Sequence, residues 1–437
     1  MLNSKKIFSI LMVFISGVVS AQTGTNSPYS ISALGELKFA GFTQHKAAGG
    51  TSRAQVSDNS FSPINPATYA NIDFTIFNAG LYTNFGQLQT SDGSANTQSG
   101  NFSNFAMAFP FSTNKKMGVS FGTYQYSDVG YDIKNTVNTD TPSYYNLFKG
   151  SGGINKVYVG YGIEAFKNFT IGANANFNFG SIQSATAKVY PNTDKFFSQS
   201  DETYFAYSGF DFDLGVQYSV QTKNLKHTLG ATYHTQADLK GDGYRYVETF
   251  FGRKFNQGSL TPIDTILFDD NLVNNVVKPA GFGVAYSVKN GDKWSVSAEM
   301  EQNKWSGVTN KLNGKNFFNN VKYAFGATFV PVPKYEDDNN TYFKKVKYYI
   351  GGRYENLYYN FFNQQLNEVG ISFGLGLPII KEARTEEKKI PVVNRVNILF
   401  EYVSRGTTDN ELIKEGYFNI GVGLNMNDKW FTKRKYR

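Results

Sequence analysis

Between Leu366 and Ile380 the chain reads LNEVGISFGLGLPII, with Val369, Ile371, Phe373, Leu375 and Leu377 set against Gly370, Ser372, Gly374 and Gly376. Successive strand side chains point to opposite faces, so this pattern predicts a strand with one greasy face and one nearly bare face. The pattern recurs. FTIGANANFNFG places Phe169, Ile171, Phe177 and Phe179 opposite Thr170, Asn174, Asn176 and Asn178. FDFDLGVQY sets Phe210, Phe212, Leu214, Val216 and Tyr218 against Asp211, Asp213, Gly215 and Gln217, and YFNIGVGLNM repeats the alternation near the end. Such stretches lie near residues 71–84, 101–111, 116–127, 154–166, 168–183, 204–220, 225–238, 279–288, 293–304, 319–330, 344–356, 367–378, 392–403 and 415–427, which makes 14 expected strands.

The connections point the same way. STNK, K, QTKN and KNGD are compact turns, whereas residues 86–100 and 239–278 are long. Short turns alternating with long loops, and an even strand count, belong to outer-membrane barrels, with the short turns periplasmic. Residues 331–343 and 379–391 are longer than that alternation expects, though both are polar. In lipid every backbone N–H and C=O must be paired within the protein, so strands span only as a closed barrel. A strand tilted about 45° crosses in about 9–11 residues. The expected fold is therefore all-β, a transmembrane antiparallel β-barrel of 14 strands over residues 71–427, its greasy face toward lipid and its small or polar face toward the lumen. A secreted sandwich or solenoid would explain the alternation but not the parity of the loops.

The ends and the composition refine this. Lys5 and Lys6, the apolar run Ile7 to Ile15, and small residues at Val19 and Ala21 form an expected signal peptide over residues 1–21. The chain has no cysteine, which removes thiol chemistry and Cys-zinc sites. Its net charge of +8 is spread along the chain rather than gathered into a patch, and no nucleic-acid partner follows from it. Residues 22–70 lack wall periodicity, yet Leu34, Leu37, Phe39 and Phe42 argue for burial, so a plug inside the barrel is expected over a disordered leader. Residues 428–437 form a basic aromatic tail on the periplasmic side.

The stretch AAGGTSRAQVSDNSFSPINPATYANIDFTIFNAGLY resembles the plug-to-first-strand region of the FadL/TodX family of outer-membrane channels for hydrophobic compounds. The matching elements are Gly49-Gly50, Asp58 and Asn65-Pro66-Ala67, just before a strand. NSPYS near the start and the tail NDKWFTKRKYR are similar to the branch of that family found in Bacteroidota. The resemblance implies a 14-stranded barrel with an N-terminal hatch, Gly49, Gly50, Asp58, Asn65, Pro66 and Ala67 among its gate residues, and fatty acids or aromatic compounds as cargo. Related barrels of that branch also serve as non-transport, PorV-like subunits of secretion or assembly complexes, so protein partners are the alternative.

The remaining candidates are weighed residue by residue. His45, His227 and His234 have no metal-ligand spacing, and no catalytic set, metal or cofactor is nominated. Lumen-facing charge is expected at Glu299, Glu301, Lys347, Arg353, Glu355, Arg395 and Glu401; both signs are present, which favours internal ion pairs over a permeation path. KYEDDNN (334–340) and KEARTEEKK (381–389) read as charged turns, the first lacking calcium-loop spacing. Tyr244, Tyr246, Phe250, Phe251 and Phe255 mix aromatics into a long polar loop, the candidate external binding surface.

Overall fold

A computed structural model describes residues 24–112, 116–138, 143–191, 193, 195–251, 263–308, 316–333, 342–384 and 389–430, with the backbone alone at 381–384 and 389–391. The expected signal peptide, the KYEDDNN turn, Phe255 and the tail beyond Trp430 lie outside the described residues.

Fourteen strands form the wall: β1 (Thr75–Gln89), β2 (Ser94–Ser112), β3 (Met117–Val137), β4 (Tyr144–Phe166), β5 (Phe169–Val189), β6 (Ser198–Thr222), β7 (Leu225–His234), β8 (Gly281–Asn290), β9 (Trp294–Asn303), β10 (Asn320–Phe329), β11 (Lys347–Phe361), β12 (Gln364–Arg384), β13 (Lys389–Arg405) and β14 (Lys414–Asp428). Each pairs antiparallel with the next, and β14 closes on β1 from Lys414↔Gln89 to Asp428↔Thr75. Because the count is even, both ends of the wall lie at one rim, the terminal rim; the other is the far rim. Along β6, Phe210, Phe212, Leu214, Val216, Tyr218 and Val220 are exposed while Asp211, Asp213, Gln217 and Ser219 are buried. Along β12, Val369, Ile371 and Phe373 are exposed and Ser372 is buried. The greasy face is outermost, and no helix among the described residues is long and apolar enough to cross a membrane.

The expected strand centres hold, but several boundaries move. Residues 86–100, expected as a loop, are strand almost throughout, since β1 and β2 pair up to Gln89↔Ser94. The described part of 239–278 is also mostly strand: Ala237–Phe250 and Asp264–Val273 pair with one another, and Ala237–Phe250 continues the wall against β6 from Lys240↔Ser208 to Phe250↔Ser198. The long 379–391 connection is likewise β12 and β13 running on as a hairpin to Arg384↔Lys389. The reason is common to all three. Beyond the lipid band a strand can be polar on both faces, so ladder hydrogen bonds persist after the alternation has faded. The wall starts at Thr75 rather than residue 71 because Pro66–Asn71 forms a 3-10 turn.

Residues 24–74 run across the inner side of the wall. Helix α1 (Thr43–Ala47) packs on β11–β14, and the Pro66–Asn71 turn packs on β2–β6 on the opposite side. Glu36–Leu37 forms a short strand against Asp128 and Ser127, where β3 is bulged between Gln125 and Ser127.

Candidate functional site

The inward face of the wall is small where the N-terminal segment touches it. Gly49 and Gly50 follow α1 with φ of 69° and 89°, a turn that only glycine takes without strain. A Cβ on Gly49 would strike the Phe325 carbonyl, and one on Gly351 of β11 would strike the Gly49 amide. The glycine-and-serine face of the wall strands thus lets backbone approach backbone. Ser372, from the stretch LNEVGISFG, accepts the Gly49 N–H at 3.1 Å and donates to the Ala47 carbonyl at 3.1 Å.

Asn65 is fully buried and holds the second contact. Its Oδ1 accepts the Ala67 N–H at 3.1 Å, capping the turn that Pro66 opens, and its Nδ2 donates to the carbonyls of Arg53 (2.7 Å) and Val216 (3.3 Å). Ala67 is buried beneath the same turn. Asp58, in contrast, is exposed, and its carbonyl accepts the Asp73 N–H at 2.9 Å. Asn65→Ala is expected to loosen this end of the segment by about 1 kcal/mol, the usual worth of an N-cap side chain. Limited proteolysis should then cut residues 51–64 about fivefold faster than in the parent chain.

Ion pairs join the segment to the wall at mid-depth. Arg53 lies 2.9 Å from Glu299 and 2.7 Å from Glu301, and its Nε donates to Thr232 at 3.0 Å. Glu299 also accepts the backbone N–H groups of Ser52 and Arg53. Nearer the far rim, Arg405 on β13 meets Glu36 of the segment at 2.7 Å, Glu368 of β12 at 2.6 Å and Glu415 of β14 at 3.3 Å. Burial alone would raise the Glu36 pKa, but Lys38 and Arg405 hold it below the usual carboxylate range. Ser27 donates to the other oxygen of Glu415 at 2.6 Å. Arg353 pairs with Glu368 at 2.8 Å and with Glu401, which also takes Lys46 from α1 at 3.3 Å. On the opposite wall Asp211 holds Lys278 at 2.6 Å and Lys156 at 3.3 Å.

The expected lumen charges are therefore gathered only in part. Glu299 and Glu301 share Arg53, Arg353 and Glu401 pair directly, and Glu355 accepts from Asn320 at 2.7 Å. Arg395 does not join Glu401. Six residues apart on one strand face, the two stand about 20 Å apart, and Arg395 lines a small polar chamber with Lys347, Gln44 and His45. Burial pushes the His45 pKa down to about 3, so the ring is neutral and its Nδ1 accepts the Phe42 N–H at 3.2 Å. His227 meets Tyr286 on the outer face, whereas His234 lines the lumen. The sequence reading missed Arg405, Glu36, Glu368, Glu415, Lys156 and Lys278 as partners. Asp211 and Glu368 sit at the polar parity of their strands, the one signal available, but nothing in their spacing names the partner.

Between these networks lies a cavity of about 230 Å³. Phe39, Phe42, Leu81 and Leu399 contribute apolar surface, but eight Lys and Arg and five Asp and Glu side chains also line it. Toward the far rim an aromatic cluster stands over it, with Trp305 stacked on Tyr358 at 4.3 Å and Tyr29 and Leu34 of the segment packed beside them. Of the candidate external residues, Tyr244, Tyr246 and Phe250 belong to a strand rather than a loop. Tyr244 and Tyr246 lie on the Ala237–Phe250 strand, Phe250 is buried with Tyr145, Leu147 and Val189, and Phe251 packs on Phe197 at 5.5 Å.

Comparison with solved structures places the architecture. The P. putida toluene transporter TodX aligns with a TM-score of 0.57 at 16% identity, over 90% of this chain and 100% of that one. A Pseudomonas aeruginosa FadL homologue aligns at 0.55 and 12%, over 90% and 98%, and the Ralstonia pickettii toluene transporter TbuX at 0.53 and 14%, over 89% and 99%. At these identities the likeness is one of fold: a closed 14-stranded barrel of the FadL/TodX type. No curated protein matches the chain in sequence. A family model described as BamG matches residues 3–437, and with that match along nearly its whole length the chain belongs to the BamG family.

Proposed function

We propose that the protein resides in the outer membrane as a closed FadL-type barrel, with residues 22–70 as a hatch held in its lumen, and that it serves as a non-transport subunit of an outer-membrane secretion or assembly complex. The observation that carries this reading is the charged character of the cavity and the ion pairs around it. Sites for apolar compounds carry only a few polar groups to orient the ligand, whereas thirteen charged side chains stand beside the apolar surface of this cavity. Here Arg405, Arg353 and Arg53 line the cavity, each bound to two or more carboxylates. Breaking such a buried pair costs about 3–5 kcal/mol.

A second reading, a conduit for hydrophobic small molecules such as fatty acids or aromatic compounds, is favoured by the whole-chain fold likeness to proteins described as toluene transporters and monoaromatic hydrocarbon channels. The apolar part of the cavity lining fits it as well. The two readings separate on purification of the tagged protein from its own outer membrane in mild detergent, with mass spectrometry of proteins and lipids. Stoichiometric protein partners and no enriched hydrophobic ligand are expected. A solitary barrel carrying fatty acids or aromatic compounds would sink the subunit reading in favour of the conduit.

A further inference from the structure

The sheet that rises beyond the far rim ends on an open edge. Asp264–Val273 pairs along one side with Ala237–Phe250, and among the described residues no strand is registered along its other side. Its side chains are exposed on both faces, Ile266 to 57%, Phe268 to 60% and Val273 to 67%. A row of unpaired backbone groups is a template for another strand, which proteins blunt with charge, proline, bulges or a covering element; here the charge is all acidic and two register shifts bracket the exposed stretch. The sequence DTILFDDNLV contains neither lysine nor proline. Register shifts at Thr265/Leu267 and Asp269/Leu272 leave Leu267–Asp269 as the regular stretch.

Two further observations narrow the occupant. The edge stands clear of the lipid band: its neighbour pairs with Ser198–Ser208 of β6, and the greasy alternation of β6 begins at Phe210. The exposed apolar side chains therefore do not serve lipid tails. The strand is also acidic, with Asp264, Asp269 and Asp270 and no basic residue. Two copies meeting edge to edge would crowd six aspartates, three from each strand, into one short sheet edge with no basic residue on either strand, and this like charge disfavours self-pairing. We propose that this edge takes up, by strand addition, an extended segment of a different protein that carries lysine or arginine opposite the aspartates and apolar residues between them. The inference rests on the subunit reading above and says where on the barrel the partner attaches.

The test uses the full-length tagged protein purified with its partner from its own membrane. Hydrogen exchange should show alternate amides of residues 265–269 protected in the complex and released when the partner is stripped away. Proline at Leu267 or at Phe268 removes a backbone N–H, and one of the two faces the open side. That variant, and the double charge reversal Asp269→Lys/Asp270→Lys, should each lower partner retention about tenfold or more. Leu267→Thr, which keeps the N–H, should retain the partner, and all variants should keep the heat-dependent gel shift of a folded barrel. Full retention in the proline and charge-reversal variants would overturn the edge while leaving the subunit reading intact. Cross-links from Ile266 to lipopolysaccharide or to a second copy in place of a partner protein would overturn it too. A parent chain that retains no protein partner would overturn both.

Discussion

Arg405→Ala is expected to destabilise the folded protein by about 3–5 kcal/mol, the cost of breaking a buried ion network by removing one partner. The Arg405 side chain is 5% exposed and its guanidinium faces Glu36, Glu368 and Glu415 at once. Without it three carboxylates remain in a closed space with too little positive charge, and the loss reaches both wall and segment because Glu36 lies on the segment. The temperature at which the purified barrel loses its compact mobility on gels should fall, and cleavage near Glu36 should accelerate in parallel. Arg405→Lys should recover only part of the loss, since an ammonium is a point charge and cannot serve three carboxylates with a planar fork. Adding Glu368→Gln to Arg405→Ala should cost less than the sum of the two single changes, because the pair acts as a unit. An Arg405→Ala protein as stable as its parent would mean that water reaches this network.

Removing residues 24–74 is expected to turn a barrel that is silent in a planar lipid bilayer into one that conducts ions in discrete steps. The wall does not depend on the segment for its ladder: among the described residues the segment pairs with wall backbone through Glu36–Leu37 and the adjoining Lys38 N–H to the Tyr126 carbonyl on β3, and the wall closes strand to strand without it. What the segment supplies is matter across the lumen, from β11–β14 on one side to β2–β6 on the other. The wall charges it leaves behind, Glu299, Glu301, Glu368 and Glu401 among them, would be hydrated rather than stranded. Silence of a correctly folded deletion variant would place the closure at the aromatic cluster of Trp305, Phe317 and Tyr358 instead, and the hatch proposal would fall.

The two residues that most resemble one another in the sequence show how far periodicity carries. Arg353 and Arg395 both sit at the polar parity of a wall strand, and the pattern predicts a lumen charge at each. Arg353 meets Glu368 and Glu401, whereas Arg395 lines the separate chamber near the terminal rim. Parity tells which face a side chain takes. Height in the barrel and the identity of the facing strand depend on register and closure, which no local window contains. Arg405 and Glu36 are 369 positions apart in the chain and were invisible as a pair for the same reason.

The sequence by itself determined the fold class, the count of 14 wall strands and the face each side chain takes, because lipid on one side and a polar interior on the other impose a period of two that survives in any single strand. It also placed glycine and serine on the inner face without saying why. Only the tertiary structure decided that backbone of residues 24–74 rests on that face, that strands continue past the greasy band into residues 86–100 and 239–278, and which charges meet. Those features arise from contacts between segments far apart in the chain, where backbone pairing and buried charge, rather than local hydrophobic pattern, set the energy.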